Sequence, residues 1–251
     1  WVHPPALCRF QTLHPNVKVL THHDVLRIDK VDGQWRALHD DRVLATASVV
    51  ILAGAAEVKR FPASSGLPLK RIRGQITQLV ETPRSAALKT VVCAEGYVAP
   101  GRLGEHTVGA SFDFHNDDLT TTPEGHQGNL DLLQEISPDL VQRLGKEHLD
   151  PESLQGWAAF RCTSPDYLPI VGPLAEPDAF AQAYAVLGKD ARQVPDIPCP
   201  WYEGLYVNSG HGSRGLITAP LSGELLAAWI NDEPLPMPRA VADACHTNRF
   251  A

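Results

Sequence analysis

Apolar and polar positions alternate along the first part of the chain in runs of strand length. Val25 to Val31 alternates and stops at Asp32-Gly33, a hairpin dipeptide, and Gln34 to Leu38 reads as the returning strand. Arg42 to Ala45 follows Asp40-Asp41 as a further strand, and Val17 to Leu20 reads as another. Ser48 to Ala53 is apolar and β-branched without alternation, which predicts a central strand buried on both faces. It ends at Gly54-Ala55-Ala56, where small side chains suit either a ligand at the strand's carboxyl end or a closely packed helix. Ahead of these strands, Trp1 to Arg9 predicts an extended entry into a helix with Pro5 near its first turn.

The pattern changes after Phe61 to Leu69, a Pro-, Ser- and Gly-bearing boundary. Ile72 to Val80, Thr90 to Ala99 and His106 to Phe112 read as strands. Thr122 and Pro123 start a helix that runs to about Ile136, and Ser137-Pro138-Asp139 starts another that stops near Gly145. Leu154 to Arg161 is a strand, and Phe180 to Leu187 a short helix in a mixed, proline-bearing stretch. The last strand, Gly204 to Asn208, enters a glycine-rich turn, and Ile217, Leu221, Leu225 and Ala228 then recur at helical spacing. This order is not a regular βαβα alternation. It predicts an α+β (α/β) chain in which residues 63–200 form a domain inserted between 1–62 and 201–251.

The turn concentrates the candidate chemistry. Gly210, Gly212 and Gly215 remove side chains where the backbone bends or meets a ligand, with His211, Ser213 and Arg214 between them. The helix start offers free N–H groups and a positive dipole end to something electron-rich. The spacing spells G-x-G-x-x-G, but no second strand with an acidic residue follows, so the turn is not read as the dinucleotide fingerprint. Arg161 closes an apolar strand, where a guanidinium is either a bidentate clamp for a substrate carboxylate or a structural partner of an acid such as Asp166. His211 is a site candidate against a capping or packing role. The other histidines show no zinc spacing, so no metal is expected. Arg71 and Arg73 read as solvated charge or a basic patch, and no serine lies in a nucleophile elbow.

Composition narrows the class. A chain of 251 residues with 43% hydrophobic content builds a real core, and a net charge of −7 argues against general nucleic-acid binding while allowing a local patch. Five scattered cysteines suit a reducing compartment, and no apolar run reaches membrane-spanning length. A cytoplasmic protein without a membrane partner is expected.

Four stretches carry a family resemblance. Arg161-Cys162-Thr163-Ser164-Pro165-Asp166-Tyr167-Leu168-Pro169-Ile170-Val171-Gly172 resembles R-x-x-[ST]-x-D-x-x-P-x-[IV]-G of the FAD-dependent D-amino acid oxidase/glycine oxidase family. Gly210 to Leu226 resembles its carboxy-terminal flavin-binding loop and helix, Val49 to Ala55 its strand ending in small residues, and Arg73-Gly74-Gln75 its R-G-Q at the domain crossing. Within the family, Trp1 to Cys8, Tyr184 to Arg192 and Gly210 to Leu225 are similar to the oxidase half of MnmC-type tRNA-modifying enzymes.

The resemblance implies a carboxy-terminal portion of an oxidase, with an incomplete FAD-binding domain (1–62 and 201–251) and an antiparallel-sheet substrate domain (63–200). The family's opening βαβ unit and an upstream methyltransferase portion would belong to the same polypeptide, and the present fragment would hold FAD weakly. Gly54, Gly74, Gly210, His211, Gly212, Ser213, Arg214, Gly215, Leu216 and Thr218 would serve FAD, and Arg161 would grip a glycine carboxylate. The implied substrate is 5-carboxymethylaminomethyl uridine at the tRNA wobble position, with Lys189, Arg192 and Arg102 as basic rim candidates. Two other readings remain: an oxidase or dehydrogenase of a free small amino acid, and a fragment or subunit without catalysis.

Overall fold

Helix α1 (Pro4–Gln11) carries proline in its first turn, where a missing N–H costs nothing. Strands β1 (Arg27–Val31), β2 (Gln34–His39) and β3 (Arg42–Ala47) form an antiparallel meander, and β4 (Val50–Leu52) follows. The β1–β2 turn places Asp32 at φ 51° and Gly33 at φ 77°, the left-handed pair that a two-residue hairpin needs. This computed structural model describes residues 1–145 and 148–250. Two expectations fail in this region. Val17 to Leu20 pairs with no strand among the described residues, and its side chains face solvent. β4 is a sheet edge rather than a centre: among the described residues it pairs with one strand only, and Ile51 is 44% exposed.

The next block is built around a long strand. β5 (Lys70–Val80) is followed by β6 (Val92–Cys93), β7 (Tyr97–Val98), β8 (Glu105–Gly109), α2 (Pro123–Ile136), α3 (Pro138–Leu144) and β9 (Gln155–Thr163). The sheet order is β6-β7-β8-β5-β9. The expected strand Thr90 to Ala99 is two short strands, because Ala94 N–H bonds back to Gly96 C=O and turns the chain. Thr122 Oγ1 caps α2 by accepting from Gly125 N–H at 3.1 Å, and Ser137 Oγ caps α3 by accepting from Leu140 N–H at 3.2 Å. Leu79, Val98 and Val108 from the sheet bury against Leu133, Leu140 and Leu144 from the helices. A polar network lies beside that core: Asn129 Nδ2 donates to Thr77 Oγ1 at 2.9 Å, and Thr77 Oγ1 meets His126 Nδ1 at 2.9 Å.

The remaining elements are β10 (Ile170–Ala175), α4 (Pro177–Ala183), β11 (Trp201–Ser209), α5 (Gly215–Asn231) and α6 (Arg239–Cys245). α4 stops at Ala183 and a short 3-10 turn continues it, where one helix to Leu187 is expected; α6 has no counterpart in the sequence reading. β11 pairs antiparallel with β10 and parallel with β4, so the carboxyl ends of β4 and β11 lie side by side. Leu52, Phe61, Leu69, Ile170, Leu205 and Val207 share one core. Arg249 reaches back to Asp166 through two contacts, 2.9 and 3.0 Å, and also donates to Leu168 C=O.

Contacts divide the chain into two units. One comprises Trp1–His3 and Arg71–Arg161; the other comprises Pro4–Lys70 and the chain from Cys162 onward. Residues 162–200 therefore pack with the unit that carries β4 and β11, because β10 is laddered to β11. Among the described residues, no helix is long and apolar enough to cross a membrane.

Candidate active site

In the unit that carries β11, the strand hands the chain to α5 through the glycine turn. Gly210 and Gly212 sit at φ 77° and 56°, left-handed positions that side chains rarely adopt. Gly212 N–H is already engaged, donating to Cys162 C=O at 2.6 Å, so it drops out of the amides expected to face a ligand. The N–H groups of Ser213, Gly215 and Leu216 have no protein acceptor among the described residues. Arg214 at the N-cap gives α5 no side-chain cap, and its own N–H bonds to His211 C=O. A helix of 17 residues thus presents uncapped amides and its positive dipole end at the turn.

His211 braces this turn. Its Nε2 lies 2.9 Å from Asn208 Oδ1 and its Nδ1 lies 2.8 Å from Thr218 Oγ1. Burial pushes the imidazole pKa down, which favours a neutral ring, and Thr218 Oγ1 also donates to Arg214 C=O at 3.1 Å. Both ring nitrogens are occupied, so the ring is a strut from β11 to the first turn of α5. Ser209 Oγ donates to Ala55 C=O at 2.9 Å and ties the end of β11 to the chain just after β4. Gly54 lies there, beside a pocket of about 450 Å³ lined in part by Leu52, Ala53 and Glu57. A Cβ on Gly54 would meet nothing closer than 3.8 Å, so this glycine is not sterically required.

In the other unit, Arg161 near the end of β9 has no carboxylate partner among the described residues. Its Nη1 donates to Ser111 C=O at 3.0 Å, and its Cζ lies 4.1 Å from the centre of the Phe112 ring. Burial pulls its pKa down from the usual arginine range and the neighbouring Tyr97 works in the opposite direction; the tyrosine's own pKa is raised by burial. The expected alternative partner, Asp166, is held by Arg249 instead. Gly74 on β5 is where the guanidinium rests: a Cβ there would fall 2.2 Å from Nη1 and 2.7 Å from Cζ. Gly74, expected beside a cofactor, therefore makes room for Arg161.

Arg73 is neither solvated nor part of a basic patch. It is 4% exposed, and its guanidinium donates to Asp118 and Thr120 carbonyls. Arg71 stays near the surface with its guanidinium 5.4 Å from the Phe160 ring centre. Lys189 and Arg102 are exposed, and Arg192 is paired with Asp190 at 3.0 Å. Ser111, Phe112 and Tyr97 escape the sequence reading as partners of Arg161. The glycine of R-G-Q marks the space that Arg161 fills, but no signal in the sequence points to these three partners.

Residues 1–229 match the family model described as DAO, FAD dependent oxidoreductase. The chain belongs to this family. The chain is 72% identical over 251 residues to the tRNA 5-methylaminomethyl-2-thiouridine biosynthesis bifunctional protein MnmC of Pseudomonas fluorescens. That match covers 100% of this chain and 38% of the relative, so the chain spans well under half the length of the protein it resembles. Two DAO-like folds among solved structures are glycine oxidase from Geobacillus kaustophilus and iminodiacetate oxidase from Chelativorans sp. BNC1. The first has TM-score 0.62 at 21% identity, covering 90% of this chain and 52% of that one. The second has TM-score 0.58 at 23% identity, covering 84% and 50%. These likenesses establish the mixed α/β fold with antiparallel sheets.

Proposed function

We propose that this chain is the oxidase part of a tRNA-modifying polypeptide that removes the carboxymethyl group from 5-carboxymethylaminomethyl(-2-thio)uridine at the wobble position. The products are the aminomethyl nucleoside and glyoxylate. The observation that carries the reading is Arg161, a half-buried guanidinium without an acidic partner among the described residues, backed by Phe112 and Gly74. Such a group recognises one fixed carboxylate through two parallel bonds. An N-substituted glycine carries that carboxylate next to the methylene to be oxidised.

The glycine turn fits FAD. Unpaired amides of Ser213, Gly215 and Leu216 at an uncapped helix start suit the electron-rich edge of a flavin, and Gly210 and Gly212 leave it room. We assign Gly54, Arg214 and Thr218 to the same region, with His211 and Thr218 holding its shape. When bound, FAD would supply the two-electron acceptor for this oxidation. Arg161 would fix the carboxylate. The half-buried Tyr97 is neutral, as tyrosine ordinarily is near neutral pH, with burial pushing its pKa further up, and it leaves the positive charge of Arg161 available to the substrate. The amine must be neutral, so its proton leaves to solvent; loss of hydride and proton gives a C=N bond, and water divides it into amine and glyoxylate.

The polypeptide would carry methyltransferase and dinucleotide-binding portions besides this chain, and tRNA places it in the cytoplasm. The decisive test is glyoxylate release by the complete polypeptide from tRNA bearing the carboxymethylaminomethyl group, compared with release from free glycine. Arg161→Ala should abolish tRNA turnover by about 30-fold or more in kcat/KM with FAD content unchanged, and Arg161→Lys should restore only part of it. Release from glycine but not from tRNA would replace this reading with a free amino acid oxidase.

A further inference from the structure

Within the unit that holds Arg161, one serine departs from the backbone pairing around it. Arg73 and Asp113 exchange two backbone hydrogen bonds, 2.8 and 2.9 Å, so they form a closely bonded antiparallel pair. Two residues further along the ladder, the next such pair is Gln75 and Ser111. Half of it is regular: Ser111 N–H donates to Gln75 C=O at 3.2 Å. The other half is exchanged, because Gln75 N–H donates to Ser111 Oγ at 2.9 Å and not to Ser111 C=O. That carbonyl is released from the ladder, and it accepts from Arg161 Nη1 at 3.0 Å.

The surroundings of this exchange are anchored. Gln75 is fully buried, and its C=O also accepts from Asn129 Nδ2 at 3.0 Å. Phe112, whose ring centre lies 4.1 Å from Arg161 Cζ, stands between Ser111 and the paired Asp113. The guanidinium is thus held in its plane by one carbonyl and across its face by one ring. Its Nε and Nη2 have no acceptor among the described residues. These two nitrogens make one edge of the planar fork, an edge that can meet both oxygens of a carboxylate.

We infer that the Ser111 hydroxyl is a positioning group for Arg161: it takes the Gln75 N–H, and so leaves the Ser111 carbonyl to hold the guanidinium with its Nε–Nη2 edge open to the substrate carboxylate. This role rests on the proposed reading that Arg161 grips that carboxylate, and it adds what keeps the grip in place. A residue without a hydroxyl at position 111 returns the carbonyl to Gln75 N–H, because a buried N–H left without an acceptor is costly. Arg161 then shares its acceptor and loses its fixed orientation. Threonine keeps the hydroxyl, and its branched side chain suits extended chain.

The test uses Ser111→Ala and Ser111→Thr in the complete polypeptide, with the melting temperature of each measured alongside. Loss of one hydrogen bond to a charged group predicts that Ser111→Ala raises KM for carboxymethylaminomethyl-tRNA about 10-fold. Its kcat should stay within about twofold, since the carboxylate is gripped alike before and during the reaction. Ser111→Thr should restore the parent's KM. Binding of isotope-labelled acetate, followed by NMR, gives a readout without turnover: affinity should fall about 10-fold in Ser111→Ala and be abolished in Arg161→Ala. An unchanged KM in Ser111→Ala, a raised KM that Ser111→Thr does not restore, or a lower melting temperature with acetate affinity unchanged overturns the inference. A parent that releases no glyoxylate from tRNA, yet binds acetate through Arg161 and binds it more weakly in Ser111→Ala, refutes the proposed substrate and leaves the role of Ser111 standing.

Discussion

The guanidinium of Arg161 fills the space that a side chain on residue 74 would take, with Nη1 only 2.2 Å from where a Cβ of Gly74 would stand. The obstructing atoms are the far end of a flexible side chain, so the collision is relieved by moving the arginine. Gly74→Ala should therefore fold normally, with a melting temperature within about 2 °C of the parent, while its KM for the carboxylate substrate rises about 10-fold or more. Calorimetry together with steady-state kinetics checks both halves. A large loss of stability without a change in KM would show that Gly74 serves packing alone.

Gly156 on β9 offers the opposite case. A Cβ there would come within 2.0 Å of Ile76 C=O, an atom of the neighbouring β5 backbone that cannot swing aside. Gly156→Ala should cost roughly 3 kcal/mol, at the upper end of overpacking penalties. Urea unfolding should show the midpoint falling sharply.

The Asp166–Arg249 pair predicts an acid-sensitive contribution to stability. The Arg249 guanidinium, with help from Leu168 N–H and Ser164 Oγ, holds the Asp166 carboxyl well below the usual carboxylate range. A carboxyl whose pKa is lowered on folding stabilises the native state above its unfolded pKa, about 4, and loses that contribution as pH falls toward its folded pKa. Asp166 is partly exposed, so solvent screening reduces the contribution to about 1 kcal/mol. Between about pH 5 and pH 3 the parent should lose more stability than Asp166→Asn, which lacks this titration. Parallel pH profiles for the two proteins would remove the pair from any account of acid sensitivity.

His211 carries a different pH signature. Its pKa is lowered by burial, so the unfolded chain binds a proton more readily than the native one. Native stability then falls as pH drops below the unfolded histidine pKa, about 6.5. His211→Ala should leave Asn208 and Thr218 without their shared partner and cost about 1–2 kcal/mol. It should also loosen FAD in the complete polypeptide. Thermal melts between about pH 7.5 and 5.5 and flavin absorbance after gel filtration give the two readouts.

What the sequence makes legible here is mostly local. Asp32-Gly33 specifies its hairpin because two left-handed positions in a row admit few residues, and Thr122-Pro123 and Ser137-Pro138 specify their helix starts because one side chain caps each. β4 reads as a central strand from its composition, whereas within this chain, which spans 38% of a relative's length, it ladders to β11 alone among the described residues. Arg73 is misread because its acceptors are carbonyl groups near residue 120, and backbone acceptors leave no compositional trace. In the site, the glycines of the turn are visible from spacing. The choice of Arg249 rather than Arg161 for Asp166 is not, since it depends on where residue 249 arrives in space. α6 lies past the last clear periodicity and is short enough for its pattern to be lost among prolines.

The unequal engagement of the turn's amides gives them unequal exchange clocks. Gly212 N–H is locked onto Cys162 C=O and should trade its hydrogen for deuterium slowly, whereas those of Ser213, Gly215 and Leu216 should exchange within the fast phase. A flavin that accepts from those amides would slow them and leave Gly212 as it was. Deuterium uptake at these neighbouring residues thus becomes an internal gauge of occupancy, with one amide as the reference and the others as the signal.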